Sequence, residues 1–157
     1  MTSLFLRNLF FTILQPGLVA GLFPYLLASD KIRWRFDSTF GMAQYAGMIL
    51  FVFGWMLILY CIYRFAVEGH GTLSPADPTK NLVMKGIYQY SRNPMYIGVM
   101  GALIGASLFG SSITLIIYSG VIFLMFNVFI LLVEEPRLKK DFGEPYLIYC
   151  RKVRRWL

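Results

Sequence analysis

The chain has little of what holds small water-soluble or secreted proteins together. Among 157 residues there are two cysteines, one histidine and 15% charged side chains, against roughly 25% charged in an average soluble domain. Cys61 and Cys150 stand alone in different regions, which excludes a disulfide-stapled scaffold and paired-thiol redox chemistry. His70 has no clustered cysteines or acids at ligand spacing around it, so no metal is expected. Acids are scarce as well, 8 against 15 Lys and Arg, for a net charge of +7. In a soluble protein that excess would suggest nucleic acid. Here the basic residues flank apolar runs, where they set membrane orientation and meet anionic headgroups, so no nucleic-acid partner is expected.

What the chain does have is apolar surface, with 57% hydrophobic residues, 17% aromatic and a mean hydropathy of +0.60. A folded chain this short still exposes about a third of its surface. At this density the exposed part must be apolar too, and lipid is the solvent that tolerates it. The reading is an all-α, polytopic membrane protein with about four transmembrane helices in one domain, residues 1–157.

The spans are predicted at about 4–28, 40–63, 95–109 and 113–133. The first contains Pro16 and Pro24 and is expected to kink; it runs too long, and lacks the basic start, for a signal peptide. The last two form a helical hairpin about Gly110-Ser111-Ser112. Its first arm, at about 22 Å, is short for a core of about 30 Å. Gly98, Gly101, Ala102, Gly105 and Ala106 give that arm a small-residue face on which another helix can lie closely.

With four spans, Arg7, Arg64, Lys80, Lys85, Arg92, Arg137, Lys139, Lys140, Arg151, Lys152, Arg154 and Arg155 share one side of the membrane. Only Lys31, Arg33 and Arg35 lie on the other. The bias predicts a cytosolic N-terminus, loop 64–94 and tail.

Two polar segments flank the hairpin, about 69–98 and 134–157. The first ends at Arg92-Asn93-Pro94, where Pro94 suits the first turn of a helix and Asn93 its N-cap. A helix N-terminus beside an Arg suits an anion, and Tyr88, Tyr90 and Tyr96 supply flat amphipathic surface, for a ring or for the membrane interface. The second opens with Glu134-Glu135-Pro136 at the end of an apolar run. Acids at a helix C-terminus oppose the macrodipole and call for a partner. The hairpin brings Arg92 and Glu134 near one another, either as a structural bridge or as the two halves of a site for a zwitterion such as a methionine-like ligand. In the tail, Tyr146, Tyr149 and the cluster Arg151, Lys152, Arg154, Arg155, Trp156 read as an amphipathic helix on membrane lipids.

Taken together, the string G-x-Y-x-Y-x-R-N-P-x-Y-x-G over 86–98, the hairpin, Glu134-Glu135-Pro136 and F-G-x-x-Y-x-x-Y over 142–149 resemble the isoprenylcysteine carboxyl methyltransferase and phospholipid methyltransferase superfamily. The resemblance covers about residues 69–157. It implies S-adenosylmethionine as cofactor, with S-adenosylhomocysteine as product and a lipophilic methyl acceptor as partner. Gly86, Tyr88, Arg92, Asn93, Pro94, Tyr96 and Gly98 match one cofactor motif, and Glu134 and Glu135 the other. Tyr146, Tyr149 and Lys152 fall where the family places residues near the reacting groups, and Arg92, Lys152 or Tyr146 is expected to orient the acceptor. Ile87 and Asn93 stand where isoprenylcysteine enzymes usually have Pro and His, so that position lacks an imidazole. The activity expected is isoprenylcysteine carboxyl methyltransferase-like, with a phosphatidylethanolamine amine and a small thiol or other lipid as the alternative acceptors that the motifs also allow. Other classes fit less well: a small multidrug-type transporter needs an ionisable residue at mid-membrane, whereas a membrane scaffold would differ only in having no methyl transfer.

Overall fold

The computed structural model describes residues 16–28, 39–64, 67–68 and 82–156. The start of the first expected span, residues 65–66 and 69–81 of the loop 64–94 with His70 among them, and the basic residues Arg7, Lys31, Arg33, Arg35 and Lys80 lie outside those residues. Helix α1 (Leu18–Ala28) opens on a π-helical stretch, Leu18–Leu22, just before Pro24, whose missing N–H cannot close an α-helical bond. Helix α2 is Met42–Arg64. A 3-10 turn, Gly86–Gln89, leads to α3 (Pro94–Gly110). The hairpin turn falls at the expected place: Ser111 adopts a left-handed conformation (φ 46°), and Ser112 N–H returns to Ser107 O at 3.1 Å. Helix α4 (Ile113–Phe129) follows.

Beyond α4 the structure corrects the sequence reading. The helix does not end at Glu134; it passes through a π-helical turn, Ile130–Glu134, straight into α5 (Glu135–Phe142). Glu134 and Glu135 are therefore mid-helix residues, and opposition to a helix C-terminus does not explain their need for partners. Gly143 (φ 57°) breaks the helix, and α6 (Glu144–Lys152) turns back. Among the described residues there is no strand, and the fold is all-α. Two helices, α2 and the continuous Ile113–Phe142, are long and apolar enough to cross a membrane; Leu18–Ala28 and Pro94–Gly110 are shorter. Their outer faces suit lipid: Phe53 is 63% exposed, Leu124 65% and Leu132 72%, far more apolar surface than a soluble monomer tolerates.

The small-residue face of α3 finds its partner in α2. A Cβ on Gly54 would meet the backbone N of Ala102 and stand 2.6 Å from Gly98 O, and one on Gly98 would lie 2.9 Å from Gly54 O. Two helical turns away the same lock repeats, with Gly47 2.7 Å from Gly105 O and Gly105 2.6 Å from Gly47 O. Only glycine permits this approach of backbones. Ile58, Ala102, Leu103 and Ile122 form the core beside it, joined by Ala20 of α1. Tyr118 Oη donates to Val19 O at 3.1 Å, tying α1 to α4.

Candidate functional site

Two charged clusters form where the feet of α3, the Glu134–Glu135 bend and the C-terminal residues meet. Glu134 and Glu135 are consecutive in a helix, so their side chains diverge by about 100° and enter different surroundings. Glu135 is the hub of the first cluster. Its Oε1 lies 3.1 Å from Arg92 Nη1 and 2.9 Å from Arg155 Nε, while Arg155 Nη2 donates to its Oε2 at 3.1 Å. The expected bridge between Arg92 and Glu134 is thus formed by Glu135 instead. Arg92 Nη1 also donates to Cys150 Sγ at 2.8 Å and to Tyr146 Oη at 3.4 Å.

The second cluster is simpler. Tyr96 Oη donates to Glu134 Oε2 at 2.8 Å, and Tyr96 stacks at 4.6 Å on Phe126. Among the described residues Glu134 accepts no other hydrogen bond.

The C-terminal residues hold the first polar segment in place. Arg92 N–H donates to Arg154 O at 3.0 Å, and Asn93 Nδ2 and Ser91 Oγ donate to Arg155 O at 3.0 and 3.3 Å. Asn93 occupies the N-cap position of α3 and Pro94 its first turn, as the sequence suggests, but the Asn93 side chain makes no cap bond. It is turned to the tail instead, so the first N–H groups of α3 keep no side-chain acceptor.

The remaining expected residues divide by what they touch. Gly86 (φ 64°) turns the chain beneath α2, where a Cβ would meet Tyr60 Oη at 2.9 Å. Tyr88 is buried among Cys61, Val83 and Met95, and its carbonyl accepts Tyr149 Oη at 2.6 Å. Gly98 faces α2. Tyr146 and Tyr149 are buried in α6. Burial disfavours their phenolates, raising Tyr146 and pushing Tyr149 up to about 12, so both are donors and not bases near neutral pH. Lys152 is exposed on the outer side of α6; the cation that the tail contributes to the cluster is Arg155. Sequence reasoning missed Arg155, Ser91 and Cys150 as members of the cluster, and nothing in their local pattern marks them.

An S-adenosylmethionine site needs acceptors for an ammonium and donors for a carboxylate. Both kinds of group are present: Arg92 Nε is buried with no hydrogen-bond partner, α3 begins without a side-chain cap, and among the described residues Glu134 accepts a hydrogen bond from Tyr96 alone. The residues present fit the group.

An apolar groove of about 750 Å³ runs beside this site between α3 and α4, lined by Ile97, Met100, Ile104, Phe123 and Trp156 among others. Its serines, Ser107 and Ser119, donate to Leu103 O and Leu115 O of their own helices, both at 2.7 Å, and so present no unsatisfied donor to the groove.

Residues 42–145, well over half of the chain, match the family described as phospholipid methyltransferase. No curated protein and no solved structure matches the chain.

Proposed function

This chain is a member of the phospholipid methyltransferase family, and we propose on that basis that it transfers the methyl group of S-adenosylmethionine to a lipid-borne acceptor. The observation that carries the reading is the donor and acceptor left at the feet of α3 and α4: Arg92, with a buried unpartnered Nε, and Glu134, which among the described residues accepts one hydrogen bond, from Tyr96. In this reading the enzyme crosses the membrane four times, with loop 64–94 and the tail in the cytosol, as the basic-residue bias supports.

Arg92 and the uncapped first turn of α3, which follows Asn93 and opens at Pro94, receive the carboxylate of the cofactor, the backbone donors being the N–H groups after Pro94. Glu134 receives its ammonium, with Tyr96 fixing the carboxylate. Glu135 holds Arg92 in place and, having both oxygens occupied, serves the ligand through Arg92. Gly86, Tyr88 and Gly98 give the first segment its path against α2. Bound S-adenosylmethionine supplies a methyl group already activated by the sulfonium, so the chain must align the acceptor, exclude water and, for an amine headgroup, let its proton pass to a base or to water before the amine attacks. Tyr146 donates at the acceptor's polar end beside Arg92, and Lys152 stands at the outer surface where headgroups approach.

For the acceptor, the family match favours the amine headgroup of a phospholipid. A prenylcysteine carboxylate is the second reading, favoured by Arg92 and Arg155 side by side. Incubating the purified protein with methyl-labelled S-adenosylmethionine and each lipid separates the two: an N-methyl product keeps its label in base, and a methyl ester releases it as methanol. Absence of label in every lipid, from protein that binds the cofactor, would overturn the reading.

A further inference from the structure

The last residues of the chain do two things at once. Arg154 and Arg155 are clasped through their carbonyls by Arg92, Ser91 and Asn93, and Arg155 is locked to Glu135. That clasp sets the position of the next residue, Trp156. Its indole lies at one end of the apolar groove, 5.3 Å from the Phe123 ring, with Nε1 donating to Asn127 Oδ1 at 3.3 Å. The groove is apolar along its length, flanked by the lipid-facing residues Ile104 and Ile116, both exposed. No charged residue lines it; the nearest in the chain to its lining is Arg155, which precedes Trp156 and is paired with Glu135. A molecule that matches this pattern has a hydrocarbon chain for the groove and a polar head for the Trp156 end.

We propose that Trp156 determines acceptor selectivity: one hydrocarbon chain of the methyl acceptor lies in the α3–α4 groove, and the indole limits the bulk admitted next to the headgroup. This rests on the acceptor reading above. An indole held by Phe123 beside its ring and by Asn127 at its N–H narrows the space a second chain would need, so an acceptor with a single chain passes more readily than one with two.

The test uses the full chain in lipid nanodiscs as wild type, Trp156→Phe and Trp156→Ala. A phosphatidylethanolamine with a diazirine on one acyl chain reads occupancy without turnover. Adducts on Met100 and Phe123 that excess unlabelled lipid removes are expected in wild type; adducts spread evenly over the outer faces of α2 and α4 would overturn the proposal. Turnover of one-chain and two-chain phosphatidylethanolamine then reads selectivity. Trp156→Ala is expected to raise the two-chain to one-chain ratio of kcat/KM by about tenfold, the scale of one misfitted apolar group, with Trp156→Phe between. Affinity for S-adenosylhomocysteine is expected to stay within about twofold of wild type. An unchanged ratio in a variant that binds S-adenosylhomocysteine normally, or a parallel loss of that affinity, would overturn the proposal. Groove labelling without turnover of either lipid would instead count against the methyl-transfer reading and leave the occupant of the groove established.

Discussion

Arg92 Nη1 and Glu135 Oε1 stand 3.1 Å apart across the feet of two antiparallel helices, and each is almost enclosed, with 13% and 11% of its side chain exposed. Breaking a buried pair from one side leaves the other charge uncompensated. Glu135→Ala is therefore expected to destabilise the protein by about 3 kcal/mol, because it strands both Arg92 and Arg155. A thermal unfolding series in detergent checks this, and Glu135→Gln should recover only part of the loss.

The glycine lock between α2 and α3 makes a separate prediction. Gly54→Ala and Gly105→Ala each insert a methyl group where backbone already stands, at an expected cost of about 1–3 kcal/mol. Gly120→Ala, where a Cβ meets nothing within 4 Å, is the control and should be neutral or slightly stabilising in the same measurement.

Tyr149 donates to the Tyr88 carbonyl at 2.6 Å, so Tyr149→Phe should cost about 1 kcal/mol. Its hydroxyl is pushed up to about 12 by burial. The folded state thus favours the neutral phenol. Its contribution is complete below the ordinary tyrosine value of about 10 and is lost as pH rises from there toward about 12. Phenolate absorbance at 295 nm should appear later for Tyr149 than for exposed tyrosines, and the Tyr149→Phe difference spectrum reads it.

Lys152 and Arg155 should separate cleanly. Arg155→Ala removes both bonds to Glu135 and loosens the tail, and a fall in thermal stability is expected. Lys152→Ala changes an exposed side chain and should stay within about 0.5 kcal/mol of wild type. Comparing their methyl-transfer rates then tells whether Lys152 acts at the reacting headgroup.

Much of this architecture was legible because membrane helices are written in composition and length. The hairpin at Gly110-Ser111-Ser112 and the helix start at Pro94 follow from turn and proline chemistry that acts over two or three residues. The reach of α2, expected over 40–63 and observed over Met42–Arg64, follows from its apolar run. What could not be read was long-range pairing. Gly47 and Gly54 repeat the seven-residue spacing of Gly98 and Gly105, a signal that becomes visible only when the two helices are set side by side. Arg92 chose Glu135 over Glu134 because the helix runs on through Glu134; a π-helical turn within an apolar segment carries no residue signature. The tail clasp is made largely by the carbonyls of Arg154 and Arg155, groups that every residue has, so the sequence cannot distinguish them.

The most direct test of the central claim is calorimetric titration of S-adenosylmethionine and S-adenosylhomocysteine into the purified protein, with Glu134→Ala and Arg92→Ala alongside. The account predicts micromolar binding by wild type and a loss of at least tenfold in each variant, with Glu134→Ala still folded because it removes one hydrogen bond, from Tyr96, and the attraction to the neighbouring Arg137. Undiminished binding by folded Glu134→Ala, or no binding by folded wild type, would contradict it.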